Sequence, residues 1–352
     1  MTAIDRTAIL AARMQTQAFA PQCHGPEGYV KLFRKLQPVS PPAFAYPGSP
    51  PTLVGRTEFQ EEPLVSRMRA RREIVKGRFL GGTVGYVLAA DLEDYANAFR
   101  RPITSPNSVQ QDVLHAVRHA GPLTPRQLRE ETDYLSKEIG PALSRLQQAF
   151  LVYEDQVETD WERGWYDFES EWPDVDVDDE RRSEAIAVVA QRFMDAMVFA
   201  TMENLRDWSA LRVKDVRQFL TEGERSGTLV PSDTPGLGRG WLSADALPLE
   251  TCPIPSRVVM LPASDPIARA HRSEMKRRFA GLELLQYLLV DGYLTGAVCG
   301  HWRIGPHDVD DVVIQLPAAE YAARRDEILT AIRATYEPPN HHILRYCGQG
   351  LA

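Results

Sequence analysis

The chain has 352 residues, of which 43% are hydrophobic and 25% charged, an ordinary globular composition with enough residues for two or three domains. It lacks the run of roughly 18 to 20 apolar residues that a membrane helix needs, and it does not begin with the apolar core of a secretory signal, so we expect a soluble cytoplasmic protein. The four cysteines form no C-x-x-C pair, and neither a metal nor a cofactor is predicted.

The net charge of −8 argues at first against a nucleic-acid partner, but the charge is unevenly distributed. Thirteen acidic residues and one arginine lie between Glu154 and Glu180, so this stretch carries −12 and the rest of the chain +4. The balance outside the acidic stretch is therefore compatible with DNA binding.

The first hundred residues read as helices joined by irregular segments. Helical patterns cover residues 2–20, 28–36 and 91–99. The proline-rich stretch Pro38–Pro51 predicts a rigid connector, and residues 79–87 predict a glycine-rich turn that leads into a strand.

From Ser108 the pattern sharpens into three helices and two strands. Thr124 and Pro125 stand at the N-cap and first position of the second helix, and Gln127 completes a capping box. The third helix begins at Ser136. Helix, helix, helix and a two-stranded wing is the order of a winged helix.

The same order returns downstream, with helices over residues 184–202, 204–211 and 213–226 and short strands near residues 227–230 and 240–243. The acidic residues 173–180 between the two units suit a solvated linker. The last hundred residues predict an apolar segment at 258–262, a hairpin on the Asp291-Gly292 turn, a third strand and a helix over 318–336.

We therefore predict an α+β fold of tandem winged-helix units with a C-terminal mixed unit of hairpin and helix. The boundaries are 1–105 for an N-terminal helical segment, 106–172 and 181–250 for the winged helices, and 251–352 for the C-terminal unit. Nothing in the sequence requires a dimer, so we expect a monomer.

In order along the chain, four short segments resemble the AlkZ/YcaQ family of winged-helix DNA glycosylases, which remove alkylated bases and unhook interstrand crosslinks. Met14-Gln15-Thr16-Gln17 stands where that family has Gln, one residue, then Gln or Asp. Residues 32–36 resemble its next helix, 261–266 its Leu-Pro and Asp-Pro turn, and 289–303 the late hairpin that it presses against the duplex.

Two departures concern the glycine-rich turn. Where the family often has Arg-Gly-Thr followed closely by His, this chain has Gly81-Gly82-Thr83-Val84-Gly85. Gly81 thus replaces the Arg and Gly85 the His, which bears on activity and substrate range.

The resemblance implies that Gln15 and Gln17 are catalytic. A purine alkylated at N7 or N3 is cationic and leaves readily, so the enzyme mainly has to orient a water toward the anomeric carbon of the sugar, which a neutral amide oxygen can do. Two residues apart on a regular helix are splayed by about 200°, so Gln15 and Gln17 converge only on extended or helix-terminal backbone. The alternative is that both are solvated helix residues.

Further side chains are predicted to contact DNA, each with a plainer alternative. The run of arginines and the outward residues of the third helix contact phosphate or form solvated faces, and the aromatic residue after the hairpin enters the minor groove or packs in the core. These candidates are Arg67, Arg69, Arg71, Arg72, Lys137, Arg145, His301, Trp302 and Arg303.

The function predicted is that of a monofunctional DNA glycosylase acting on duplex DNA with alkylated purines, including bulky or crosslinked ones. No lysine stands beside the glutamines, which favours water over a Schiff base as the nucleophile. Two alternatives remain: a non-catalytic winged-helix DNA-binding protein or regulator, and an interaction protein that uses the acidic stretch.

Overall fold

A computed structural model describes residues 5–42, 49–156, 163–250, 252–303 and 305–351. It has an α+β fold in which helices surround one six-stranded sheet and three smaller ones. None of the helices in these ranges combines the length and apolarity needed to cross a lipid bilayer.

The N-terminal elements are α1 (Arg6–Thr16), α2 (Gly25–Leu36), α3 (Glu62–Ala70), β1 (Ile74–Phe79), β2 (Thr83–Leu88) and α4 (Leu92–Phe99). The first helix ends earlier than predicted because Ala18 adopts a left-handed backbone with φ +55° just after the cap, and residues 2–4 of the predicted helix lie outside the described residues. The predicted strand after the glycine-rich turn is β2. Its partner β1 was not predicted, and the start of the proline-rich connector pairs with β2 through Val39 and Tyr86.

The next unit contains α5 (Ser108–Ala120), α6 (Pro125–Thr132), α7 (Ser136–Gln148), β3 (Val152–Gln156), β4 (Arg163–Asp167) and the short α8 (Phe168–Glu171). The predicted order of three helices and a hairpin is present. Thr124 caps α6 and shares a capping box with Gln127, as the sequence predicts. This unit has a hydrophobic core of its own, which includes Val113, Leu128 and Leu143.

The following elements are α9 (Arg182–Met197), β5 (Phe199–Ala200), α10 (Met202–Ser209), α11 (Val213–Ser226), β6 (Leu229–Thr234) and β7 (Gly238–Ser243). The three strands form a small antiparallel sheet in the order β5-β7-β6. Phe193 stacks on Trp208 at 4.4 Å between ring centroids, and both belong to the largest core of the protein.

The acidic stretch between these units differs from the predicted solvated linker. Its carboxylates are exposed, but its backbone is bound to α4, where the Asn97 amide donates to Asp176 O at 2.8 Å and accepts from Asp178 N at 2.8 Å. Val175 and Val177 pack on the largest core. Half-buried valines therefore alternate with exposed acids, and the valines anchor the stretch.

The C-terminal elements are β8 (Val258–Pro262), α12 (Pro266–Ala270), α13 (Arg272–Arg278), β9 (Leu284–Val290), β10 (Tyr293–Cys299), β11 (Asp311–Ile314), α14 (Ala318–Ala323), α15 (Arg325–Arg333), β12 (Arg345–Tyr346) and β13 (Gln349–Gly350). The six strands form one sheet, antiparallel except for β11 and β12. The predicted closing helix is in fact two helices that meet at Arg324.

The largest core joins all four predicted units. It runs from Met14 through α4 and α9 to Val259, Leu289 and Cys299 in the six-stranded sheet. The N-terminal segment, the two units over residues 106–172 and 181–250, and part of the C-terminal sheet therefore bury apolar side chains in one cluster, to which the unit 106–172 contributes Phe150 and Phe168.

Candidate functional site

The end of α1 turns Gln15 and Gln17 in different directions. Gln15 lies in the last helical turn with its side chain exposed, and its amide nitrogen is 3.6 Å from Cys252 Sγ. Gln17 is the C-cap residue and has no exposed surface. The backbone at Gln17, with φ −94° and ψ 10°, remains close to helical, so the predicted convergence of the two side chains is absent.

Gln17 is instead the centre of a buried hydrogen-bond network. Its amide nitrogen donates to Ala196 O at 3.0 Å, and its amide oxygen accepts from Arg56 Nη2 at 2.9 Å. Ala196 belongs to the last turn of α9, whose carbonyls have no partners within the helix. One side chain thus satisfies a helix terminus and fixes an arginine.

Arg13, one helical turn before Gln17, supports the same contact. It donates to Met197 O at 2.9 Å and to Phe199 O at 3.0 Å, and burial lowers the pKa of its guanidinium to about 10. Val198, between these acceptors, has φ +64°. Arg13 and Gln17 together therefore hold α1 against the point where α9 ends.

Arg56 connects this network to the Asp-Pro turn. Its guanidinium is 1% exposed, donates to Asp265 Oδ2 at 2.6 Å and lies over the Phe19 ring at 4.1 Å from the centroid. Asp265 also accepts from Ile267 N as the N-cap of α12, the cap role that its position before Pro266 suggests. Arg56 was missed because nothing in the sequence marks a single arginine in a loop.

The two glycine departures have a steric cause. A Cβ at Gly85 would lie 2.9 Å from Pro38 Cβ, and one at Gly81, where φ is +78°, would lie 2.8 Å from Ala210 Cβ. The proline-rich connector thus occupies the space where the family's His side chain would begin. Neither an Arg at 81 nor a His at 85 fits this packing.

Two residues of the arginine run form ion pairs with acids of the segment from Glu154 to Glu180. Arg69 lies 3.8 Å from Asp155, and Arg72 lies 2.5 Å from Glu171. These carboxylates offset two of the positive charges that were predicted to contact phosphate. The sequence does not reveal these ion pairs because the partners lie far apart in the chain.

Among the other basic residues predicted to contact DNA, some are exposed to solvent and one binds the protein backbone. Arg67, Arg71 and Lys137 are exposed, and Arg71 lies 3.8 Å from its neighbour Glu73. Arg145 is half-buried and donates to the carbonyls of Arg101 and Pro102, both at 2.7 Å. Its guanidinium therefore fixes the backbone at residues 101 and 102 and does not extend freely into solvent.

The turn of the late hairpin lies against the protein. Asp291 and Gly292 have φ +47° and +78°, as a type I′ turn requires. A Cβ at Gly292 would lie 3.3 Å from Met14 Cγ in α1, and Asp291 accepts hydrogen bonds from Arg324 at 2.7 and 3.2 Å. This turn therefore packs against α1 and is held by Arg324.

His301, Trp302 and Arg303 lie at the opposite end of the hairpin, where β10 leads to β11. Trp302 is 59% exposed, which excludes the alternative that it is a core residue. His301 Nδ1 lies 2.7 Å from Glu283, and this hydrogen bond, with the charges of Glu283 and Asp310, raises the pKa of His301. Arg303 donates to Pro306 O. The acids beside His301 reduce the attraction of this end for phosphate.

In the part of the chain that the structure describes, no three His, Cys, Asp or Glu side chains are grouped as metal ligands would be.

No curated protein matches the sequence. Among solved structures the chain is similar to the DNA glycosylase AlkZ of Streptomyces sahachiroi, with a TM-score of 0.65 and 15% identity over 98% of this chain and 100% of that one, which shows a common fold. The model of the family described as "DNA glycosylase AlkZ-like" matches residues 52–334, which leaves Gln15 and Gln17 before the matched range. Because that match spans most of its length, the chain belongs to the family of AlkZ-like DNA glycosylases.

Proposed function

We propose that this DNA glycosylase is monofunctional and hydrolyses the N-glycosidic bond of alkylated purines in duplex DNA, with Gln15 as the residue that places the attacking water. The observation that carries the site assignment is the exposed amide of Gln15 on a helix end that Gln17, Arg13 and Arg56 hold in place. The amide oxygen accepts no hydrogen bond from any described residue, so it is available to a water.

The chemistry needs little acid–base help. In an N7-alkylated guanine the base is a cation and departs as a neutral molecule when the bond from N9 to the anomeric carbon breaks. Water bonds to that carbon and its proton passes to solvent, so charge and atoms balance. The Gln15 oxygen accepts from the water and faces the positive charge that develops on the sugar.

Gln17 has a different part in this proposal. Since it has no exposed surface, it does not touch DNA, and it acts as a positioning residue that fixes the terminus of α1. In this proposal Gln15 acts at the reacting atoms, and Gln17 supports the helix end that carries it.

Bulky adducts and interstrand crosslinks belong to the proposed substrate range on the family resemblance alone. A crosslinked duplex in which one purine carries the linker at N7 tests this range, since hydrolysis at that purine separates the strands on a denaturing gel. Strands that remain linked while a methylated duplex is cut would restrict the activity to small adducts.

The central experiment is incubation with a duplex containing N7-methylguanine, with base release measured for the wild type, Gln15→Ala and the control Gln218→Ala. Gln218 is an exposed glutamine on α11. We expect release by the wild type and the control, a rate about 100-fold lower for Gln15→Ala, and no covalent complex on borohydride treatment, because no Schiff base forms.

Two outcomes separate the parts of the proposal. If the wild type releases no base from any alkylated duplex, the activity is wrong. If Gln15→Ala releases base at the wild-type rate, only the assignment of the site is wrong.

A further inference from the structure

A cleft of about 550 Å³ opens beside the turn between β1 and β2, with a lining separate from the surroundings of Gln15. Its floor includes the apolar side chains of Phe99 and Leu211. Its rim carries the side chains of Arg100, Arg101, Arg182 and Arg212. Four arginines from three separate parts of the sequence therefore meet at one opening.

The carboxylates at this cleft do not neutralise it. Arg212 makes a bidentate contact with Asp215 at 2.9 and 3.2 Å, and Arg182 reaches the same carboxylate at 3.5 Å. Arg100 lies 3.4 Å from the exposed Asp179. Four guanidinium groups thus share two carboxylates as ion-pair partners, which leaves two positive charges in excess within this set.

Arg101 is the guanidinium available for a ligand. Its side chain is exposed, and among the described residues its one hydrogen bond is to Gln148 Oε1, at 3.4 Å. Its backbone is fixed, because Arg101 N donates to Gln148 O at 2.9 Å and Arg145 donates to Arg101 O. The charge is free while its attachment is rigid, which lowers the entropy lost on binding.

The side chain of Arg101 also lies close to Gly81 in the turn between β1 and β2. Its Nη2 atom lies 3.7 Å from the point where a Cβ at residue 81 would stand. A guanidinium therefore reaches the glycine-rich turn from a residue twenty positions further along the chain.

From this arrangement we propose that the arginine cleft binds a backbone phosphate of duplex DNA, with Arg101 as the principal contact. A guanidinium presents paired donors that match a phosphodiester, and the apolar floor suits the adjoining sugar. The site rests on the proposed function in that its ligand is the DNA on which the enzyme acts. It adds a contact that specifies no base and positions the duplex.

The test is the affinity of the full-length protein for an undamaged fluorescent duplex, measured by anisotropy across a salt series for the wild type, Arg101→Ala and Arg333→Ala. Arg333 is an exposed arginine at the end of α15, so its removal changes the net charge equally. We expect Arg101→Ala to bind roughly fivefold more weakly at low salt and the slope of log affinity against log salt to fall by about one.

For Arg333→Ala we expect wild-type affinity and slope. If Arg101→Ala binds with the affinity and slope of the wild type, the cleft is not a phosphate site. If both variants weaken binding equally, the effect is one of net charge and the proposal is overturned as well.

The assay distinguishes this failure from that of the proposed function, because binding to undamaged DNA requires no base release. A wild type that binds through Arg101 but releases no alkylated base supports the cleft and contradicts the proposed activity. Base release by a protein whose DNA affinity does not change in Arg101→Ala supports the proposed activity and contradicts the phosphate site.

Discussion

At the scale of single residues, the two glutamines show how position decides the use of identical side chains. Gln15 extends into solvent from the last turn of α1, whereas Gln17, at the cap, saturates both ends of its amide inside the protein. A buried carbonyl or guanidinium left without its partner costs about 1–3 kcal/mol, and an exposed amide costs almost nothing to remove.

We therefore expect Gln17→Ala to lower the free energy of unfolding by about 3 kcal/mol, since Ala196 O and Arg56 both lose a partner. Gln15→Ala is the matched control, with an expected change within about 0.5 kcal/mol. Urea denaturation followed by circular dichroism measures both. Equal, small effects in the two variants would show that the buried network is dispensable.

Gly85 offers a second test at this scale. A methyl group there would stand 2.9 Å from Pro38 Cβ, so Gly85→Ala should lose about 1–3 kcal/mol of stability as the connector is displaced. Gly350, at the end of β13, has nothing within 4 Å of its missing Cβ, so the control Gly350→Ala should change the free energy of unfolding by less than about 0.5 kcal/mol. The melting temperatures of both variants and of the wild type, measured by circular dichroism, test these two expectations. A Gly85→Ala protein as stable as the wild type would mean that the connector yields freely.

At the scale of elements, α13 is joined to the sheet through Glu274. This carboxylate lies 2.8 Å from His271 and 3.1 Å from Arg278, and Arg278 in turn donates to Leu294 O at 2.7 Å. The hydrogen bond from His271, reinforced by the charges of His271 and Arg278, lowers the pKa of Glu274 to about 2.

Because the folded pKa lies below the usual 4.5, Glu274 stabilises the protein above about pH 4.5, and this contribution is lost as the pH falls toward 2. With its side chain 40% exposed, solvent screening limits the contribution at pH 7 to about 1 kcal/mol. Denaturation of the wild type and Glu274→Gln between pH 7 and pH 3 should show a difference that shrinks in acid. A constant difference would contradict the proposed cause, and Glu320→Gln, an exposed acid on α14, serves as control.

The elements also show what the sequence predicts well. The capping box at Thr124 and the Asp291-Gly292 turn were placed correctly, because both depend on residues a few positions apart. Strand β1 and the break at Arg324 were missed, since pairing and helix interruption depend on distant packing.

The candidate site was predictable to a smaller degree. Nothing near Arg56 in the sequence indicates Gln17 or Asp265, and the ion pairs of Arg69 and Arg72 join residues far apart in the chain. Such contacts arise from tertiary structure, so a local pattern identifies the residue types but not their partners.

At the scale of the whole molecule, the core crosses the predicted boundary at residue 250. Val259 and Leu289 of the C-terminal sheet belong to the same apolar cluster as Phe193 of α9. A chain truncated after Glu250 should therefore lack a cooperative thermal transition in near-ultraviolet circular dichroism, because that cluster would be open to water. Cooperative unfolding within a few degrees of the full-length melting temperature would instead support an independent C-terminal domain.

The contact of the hairpin turn with α1 has a consequence for how the protein is made. Gly292 is translated about 280 residues after Leu10, against which it packs. At a translation rate of roughly 5–20 residues per second, α1 waits roughly 15 to 55 s for this neighbour to leave the ribosome. The helix that carries Gln15 is thus synthesised long before the hairpin against which it packs, so its surroundings are completed only after the C-terminal sheet has emerged from the ribosome.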